Sequence, residues 1–595
     1  MFACSLAHIE HGNETSEWPS NSADPWQRWA FETRRQHLWS QIALDASGKL
    51  DDHAFLVAGQ SLFILSGNYD QCANIEGNGR LFHNEPNTFC ICIFVLLVAA
   101  TAVDLLTQRG QQHSLPDSNQ VIPSLGQRLL LSFSVFTNGS KLFNTYRNPA
   151  SLDCIHGIRL LSMAWIVLGH SYFMAVTFTE NIFDVLSTLP GQFLAQFLNN
   201  GTVAVDSFFL LSGFLLSYLF LRKSGTAQGQ KQAKSPMCWL MYYVHRYLRL
   251  TPTYAIIMML SVAFYRSMGD GPYRYLTDAA DGVGPCRTEW WKNLLYINNF
   301  WNGNCIGWSW YLANDMQFYW ISPLLLIPLA WFPKLGLALV AALIFACDLT
   351  RGVIIYQHNW PPSMGSVNAT AMAIFLRGDQ VDALYFKPWT RASPYLVGIA
   401  AGYLCLKLTR SANRRKDGNS ENTVLNQLVV LSAWMISIGL AISVIWSPYG
   451  YALTGQYNRI LSAIYGATYR SLWAVALAGM IILCQTGNGG PINALLSWNA
   501  LFPLSRLTYC AYLLHPLVIN LLYSIERQPI WFAHYEMLYR FLTNIGVTYA
   551  LALICSLAFE APAMQLEKVL FDRTGSDKNK STSVHPHSDA VKETM

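Results

Sequence analysis

A chain of 595 residues would ordinarily divide into about four soluble domains of roughly 150 residues each, and its composition excludes that. Charged residues are 13 % of the chain and hydrophobic ones 52 %, with a mean hydropathy of +0.23; a soluble protein is roughly 25 % charged, so this chain cannot cover a water-facing surface. The net charge of +5 (40 Lys and Arg against 35 Asp and Glu) is too mild for a nucleic-acid binder, and thirteen cysteines are far too few for a disulfide scaffold. The composition predicts an all-α polytopic membrane protein.

Apolar runs near 20 residues give eleven expected spans. Residues 1–88 form a small extracytoplasmic N-terminal region, without the basic and apolar segments of a signal peptide. A first, isolated span follows at 89–106 and a cytosolic linker at 107–149. A ten-helix membrane domain then fills 150–560, with spans near 158–178, 203–222, 249–266, 318–332, 335–350, 392–408, 426–446, 470–486, 502–523 and 541–560. The two parted by Phe332-Pro333-Lys334 are short enough to form a hairpin. Residues 561–595 read as a mostly disordered cytosolic tail.

Loop charge sets the orientation. Lys223, Lys231, Lys234 and Arg246 lie in one loop without an acid, and Arg410, Arg414, Arg415 and Lys416 crowd another, so both are expected in the cytosol. The 268–316 loop, with Asp270, Asp278, Asp281 and Glu289, is expected outside. On that outer side fall glycosylation sequons at Asn13, Asn200 and Asn368. Cys286 and Cys305 share the outer loop, where a disulfide forms; Cys4 and Cys72 are a weaker pair. No metal-ligand spacing, phosphate loop or nucleophile elbow is present, so neither a metal nor a bound cofactor is expected.

Ionisable residues at membrane depth are costly and rarely idle. In His156-Gly157-Ile158-Arg159, continuing to Gly169-His170, the arginine and the second histidine are eleven residues apart and share a helix face, about 16 Å apart along the axis. Taken alone, the pair also reads as a snorkelling anchor and a packing histidine. Asp206 opens Val205-Asp206-Ser207-Phe208-Phe209-Leu210-Leu211-Ser212-Gly213-Phe214-Leu215, whose Ser212 and Gly213 permit close helix approach. Arg246 and Arg249, three apart, either clamp phosphate or anchor the cytosolic end. Asp315 and Gln317 interrupt the aromatic belt of Trp308–Tyr319. His515 precedes Pro516 mid-span, where it can bond a carbonyl that the proline frees.

Taken together, these segments resemble the family 3 membrane acyltransferases, in particular the animal nose-resistant-to-fluoxetine branch. Arg159 and His170 match the family's Arg-x10-His signature, 205–215 its VDxFFxLSGFL block, and Arg246 and Arg249 its arginine pair. Residues 310–319 match W-S-L-x-x-E-x-x-F-Y, with Tyr311 for Ser and Asp315 for Glu; Tyr512-Leu513-Leu514-His515 matches Y-L-x-H. The resemblance implies a ten-helix acyltransferase-3-like core preceded by one extra transmembrane helix. It also implies a cysteine-containing outer domain, of which 1–88 carries an incomplete version.

The implied activity is transfer of an acyl group from a cytosolic acyl-CoA-type donor to a hydroxyl of a lipid, sterol, sugar or other small acceptor. Arg246 and Arg249, helped by Arg159, hold the donor phosphates; His170 is the base; Asp206, Asp315 and His515 are supporting candidates. Membrane lipid is the expected surrounding partner, nucleic acid is not, and the plasma membrane or endoplasmic reticulum is the expected location. The alternative is a transporter of lipids or hydrophobic small molecules built on the same core.

Overall fold

The computed structural model describes residues 85–113, 124–146, 151–265, 285–301, 305–362, 379–416 and 423–571. Asn13, Cys4, Cys72, Asn368 and the 572–595 segment lie outside the described residues. Among the described residues the protein is all-α; the sole pairing of extended backbone is one bridge, Thr179 to Ile530. It is a multi-pass membrane protein: eight helices are long and apolar enough to cross a bilayer.

In chain order the helices that position the site are α1 Glu85–His113, α2 Leu125–Leu131, α3 Val135–Phe143, α4 Cys154–Ala175, α5 Val203–Ser224 and α6 Pro236–Tyr265. Next come α7 Trp310–Ile321, α8 Pro323–Trp331, α9 Pro333–His358, α10 Pro388–Lys416, α11 Thr423–Trp446 and α12 Arg459–Gln485. The last are α13 Leu501–Arg506, α14 Thr508–Ser524, α15 His534–Cys555, a π-helical turn Ser556–Glu560, and α16 Ala561–Phe571. Over the described residues, each of the eleven expected spans is mainly helical. The segments beyond the eight are the broken α7–α8 pair, the arginine-bearing α10 and the 17-residue α14.

Several boundaries differ from expectation, for physical reasons. Hydropathy stopped three spans at an arginine, whereas α9, α10 and α12 run past Arg351, Arg391 and Arg470 and bury them, because each finds polar partners inside the bundle. The 223–246 segment is not a plain loop: α6 begins at Pro236, after a short helix at Ala227–Ala233. The 107–149 linker contains α2, started by a Ser124–Gln127 capping box, and α3. Asp104 of α1 accepts from Ser134 (2.5 Å) and Thr137 (2.6 Å), and Arg506 donates to the carbonyls of Lys141, Leu142 and Asn144, which docks α3. The expected tail is helical through Phe571, with Glu567 paired to His245 of α6.

The central contact is α5 against α10. A Cβ on Gly213 would lie 2.2 Å from the Tyr395 carbonyl oxygen, and one on Gly398 2.2 Å from that of Leu210. Glycine on both helices lets the backbones touch, the packing that membranes favour where no hydrophobic drive separates helix from lipid. Ser217 donates across the seam to the Ile399 carbonyl at 2.8 Å. Phe332 turns α8 into α9, and Gly336 packs on Leu329, so the expected hairpin is present.

At one end of the bundle Arg410 approaches Gly225, bringing the two basic segments together. After the opposite end of α6, a disulfide joins Cys286 and Cys305. Asn200 is not an available glycosylation acceptor. Its side chain is buried, 5 % exposed, and donates to the Ile445 (2.8 Å) and Gln196 (3.2 Å) carbonyls.

Candidate transfer site

Two groups of polar side chains meet on α4, three helical turns apart. At the first, α6 brings Arg246 and Arg249 into electrostatic range of Arg159. Arg246 is neutralised: it pairs with Asp315 of α7, and its guanidinium lies 4.9 Å from the centre of the Tyr319 ring. The other two are not. Among the described residues neither Arg159 nor Arg249 has a hydrogen-bond or ion-pair partner. Glu560, on the π-helical turn, is within electrostatic range of Arg249, but its carboxylate accepts from Cys510 Sγ (3.1 Å) and Ser556 Oγ (2.8 Å). The result is a half-buried pair of guanidiniums with open donors, suited to a group that carries several negative oxygens.

At the second, His170 Nδ1 lies 2.9 Å from His515 Nε2 of α14, the rings stacked with centroids 5.0 Å apart. His515 is fully buried, while His170 is half-buried. His515 Nδ1 lies 2.8 Å from the Tyr512 carbonyl and 3.3 Å from that of Ala511. Carbonyl oxygens only accept, so His515 Nδ1 carries the proton, its Nε2 accepts, and His170 Nδ1–H donates to it. The remaining nitrogen of His170, Nε2, keeps its lone pair and has no partner among the described residues. That is the proton inventory of a general base oriented by a second group.

The wall between the two groups is aromatic. Tyr311 stacks edge-on with Tyr512 at 5.4 Å and borders Arg159. Tyr512 donates to the Trp308 carbonyl, and Trp308 Nε1 to that of Leu513 (3.2 Å), which latches α14 to the start of α7.

Asp206 does not join either group. It is buried (0 % exposed) and held by Arg391 Nη1 at 2.8 Å and Arg470 Nη1 at 3.0 and 3.2 Å. Beside it, Arg351 donates to Asp348 (2.5 Å), Ser393 (2.9 Å) and the carbonyls of Gly466, Thr390 and Ala467. Of the expected site residues the structure therefore assembles Arg159, Arg246, Arg249 and Asp315 in one group and His170 with His515 in another. Arg351, Arg391, Arg470 and Glu560 were not anticipated. The signal was present for the arginines, since Arg351 and Arg391 directly adjoin predicted apolar runs and Arg470 opens one; an edge reading discards it.

Residues 152–561 match the family described as acyltransferase domain. The chain belongs to acyltransferase family 3. It is 35 % identical over 496 residues to nose resistant to fluoxetine protein 6 of Caenorhabditis elegans, covering 81 % of this chain and 59 % of that protein. It thus spans about three-fifths of that relative's length. It is 25 % identical over 405 residues to regulator of hypoxia-inducible factor 1 of the same organism (62 % and 71 % of the two chains). It is also 23 % identical over 411 residues to peptidoglycan O-acetyltransferase OatA of Listeria monocytogenes (66 % and 56 %). No solved structure matches. The family 3 domain includes every residue of both α4 groups, from Arg159 to Glu560.

Proposed function

We propose that this family 3 protein is an integral-membrane O-acyltransferase that moves an acyl group from an acyl-CoA-type thioester to a hydroxyl acceptor. The observation that carries this reading is the base-ready His170, held by His515, on the same helix as the uncommitted Arg159.

The donor phosphates sit on Arg159 and Arg249, whose planar forks match phosphate oxygens. Arg246, already paired with Asp315, keeps its charge compensated. His170 Nε2 takes the proton from the acceptor hydroxyl as its oxygen attacks the thioester carbonyl. The C–S bond breaks, and the thiolate that leaves takes the proton from the His170 imidazolium, which restores the base. Donor contact at the basic end of the bundle and a base three turns deeper suit a cytosolic donor and an acceptor that arrives from the lipid or the far side.

The test is transfer of radiolabelled acetyl or longer acyl groups from acyl-CoA by purified protein in lipid nanodiscs, with bilayer lipid and added hydroxyl compounds as acceptors. Label in a new ester supports the reading. Absence of any ester, together with uptake of hydrophobic substrate by proteoliposomes, would replace it with transport.

A further inference from the structure

α14 carries a proline in its interior, and its position relative to His515 has a chemical consequence. In an α-helix the amide N–H of residue 516 would donate to the carbonyl of residue 512. Pro516 has no N–H, so the Tyr512 carbonyl loses its helical partner. That carbonyl is the one His515 Nδ1 reaches at 2.8 Å. A half-buried carbonyl without its helical donor favours any donor within reach, and the His515 ring supplies one.

We propose that Pro516 and His515 are positioning residues that set the tautomer of the base, an inference that rests on His170 being that base. Pro516 opens the Tyr512 carbonyl, and the carbonyl draws the His515 proton to Nδ1. His515 Nε2 is thereby an acceptor, and it draws the His170 proton to Nδ1. His170 Nε2 is left as the lone pair that meets the acceptor hydroxyl. Three consecutive acceptor–donor matches lead from a missing backbone N–H to the reacting nitrogen. A helix without the proline would offer its own N–H to Tyr512, and the His515 ring would compete for the carbonyl. Burial of His515 at 0 % exposure leaves it no water to turn to instead.

Full-length protein with ¹⁵N-labelled histidine, in nanodiscs, separates the arms. In the wild type, ring-nitrogen shifts should show both histidines neutral with the proton on Nδ1. Pro516→Ala should give His515 and His170 mixed tautomers and lower kcat about tenfold, the equivalent of one weakened hydrogen bond. Its donor KM should not change. His515→Gln presents an amide donor and acceptor in place of the two ring nitrogens, so it should retain the His170 tautomer and most of the rate. His515→Phe, of similar volume and with neither group, should lose roughly 100-fold or more, as expected when a general base loses its orientation. An unchanged tautomer pattern in Pro516→Ala, or equal rates for His515→Gln and His515→Phe, would overturn the proposal. Tautomers that shift as described while acyl transfer stays constant would leave the proton chain standing and remove His170 as the base.

Discussion

Two clusters of buried charge occupy this membrane domain, and they are built on opposite rules. Around Asp206, arginines from α10 and α12 close on one carboxylate, and Arg351 fills its donors with Asp348, Ser393 and three carbonyls. Arg391 also lies 4.1 Å from the centre of the Tyr385 ring. Around Arg159, Asp315 engages Arg246 alone, and Glu560, within electrostatic range of Arg249, is bonded instead to Cys510 and Ser556, so among the described residues no acid bonds Arg159 or Arg249. The first cluster is nearly complete within itself and ties α5, α9, α10 and α12 together. The second is incomplete, and incompleteness at membrane depth persists only where a ligand or solvent finishes the set. Similar residue types are thus mostly bonded to one another in one place and left with open donors in the other, and the difference lies in which guanidiniums the nearby acids bond.

That comparison can be broken most sharply at His170. His170→Gln keeps a hydrogen-bonding side chain but has no proton-accepting nitrogen, so acyl transfer should fall roughly 100- to 10,000-fold, with an unchanged melting profile in detergent. A melting temperature lowered in step with the activity would make His170 a packing residue.

Asp206→Asn should do the reverse. It leaves two buried guanidiniums without their carboxylate, and breaking a buried pair typically costs about 3–5 kcal/mol. The monodisperse peak on size-exclusion chromatography should vanish at a markedly lower temperature, while the fraction that stays folded keeps near wild-type donor KM. A selective rise in KM with normal stability would place Asp206 in the donor site.

The smallest effect distinguishes arginine from positive charge. Arg249→Lys retains the charge but not the planar fork, and donor KM should rise about tenfold, one lost charge-assisted hydrogen bond, with kcat little changed. Arg470→Lys, in the closed cluster, should lower thermal stability and leave donor KM alone. If both substitutions move KM equally, or neither does, the two clusters are not functionally distinct.

Much of this was legible in the residues. The segments recognisable as spans all became helices, because an apolar run of that length must satisfy its backbone internally once in lipid. Ser212 and Gly213 announced a close helix contact, and Gly213 makes it with α10. The Arg-x10-His spacing placed Arg159 and His170 on one face, since helical periodicity is a local property. The proline after His515 also pointed to a freed carbonyl, and the bond to Tyr512 is there.

What the sequence could not determine is which charges meet. Hydropathy treats an arginine as the end of a span, because it weighs each residue against lipid. Arg391 and Arg470 lie inside their helices because Asp206, 185 and 264 residues away, offsets their desolvation. Asn200 looked like an outer sequon, and its burial against Ile445 depends on how α11 packs. The meeting of His170 with His515, separated by 345 residues, is likewise a product of α4 lying beside α14. Local periodicity determined the helices and the faces they present, whereas only the tertiary packing decided which polar side chains were completed by one another and which were left open.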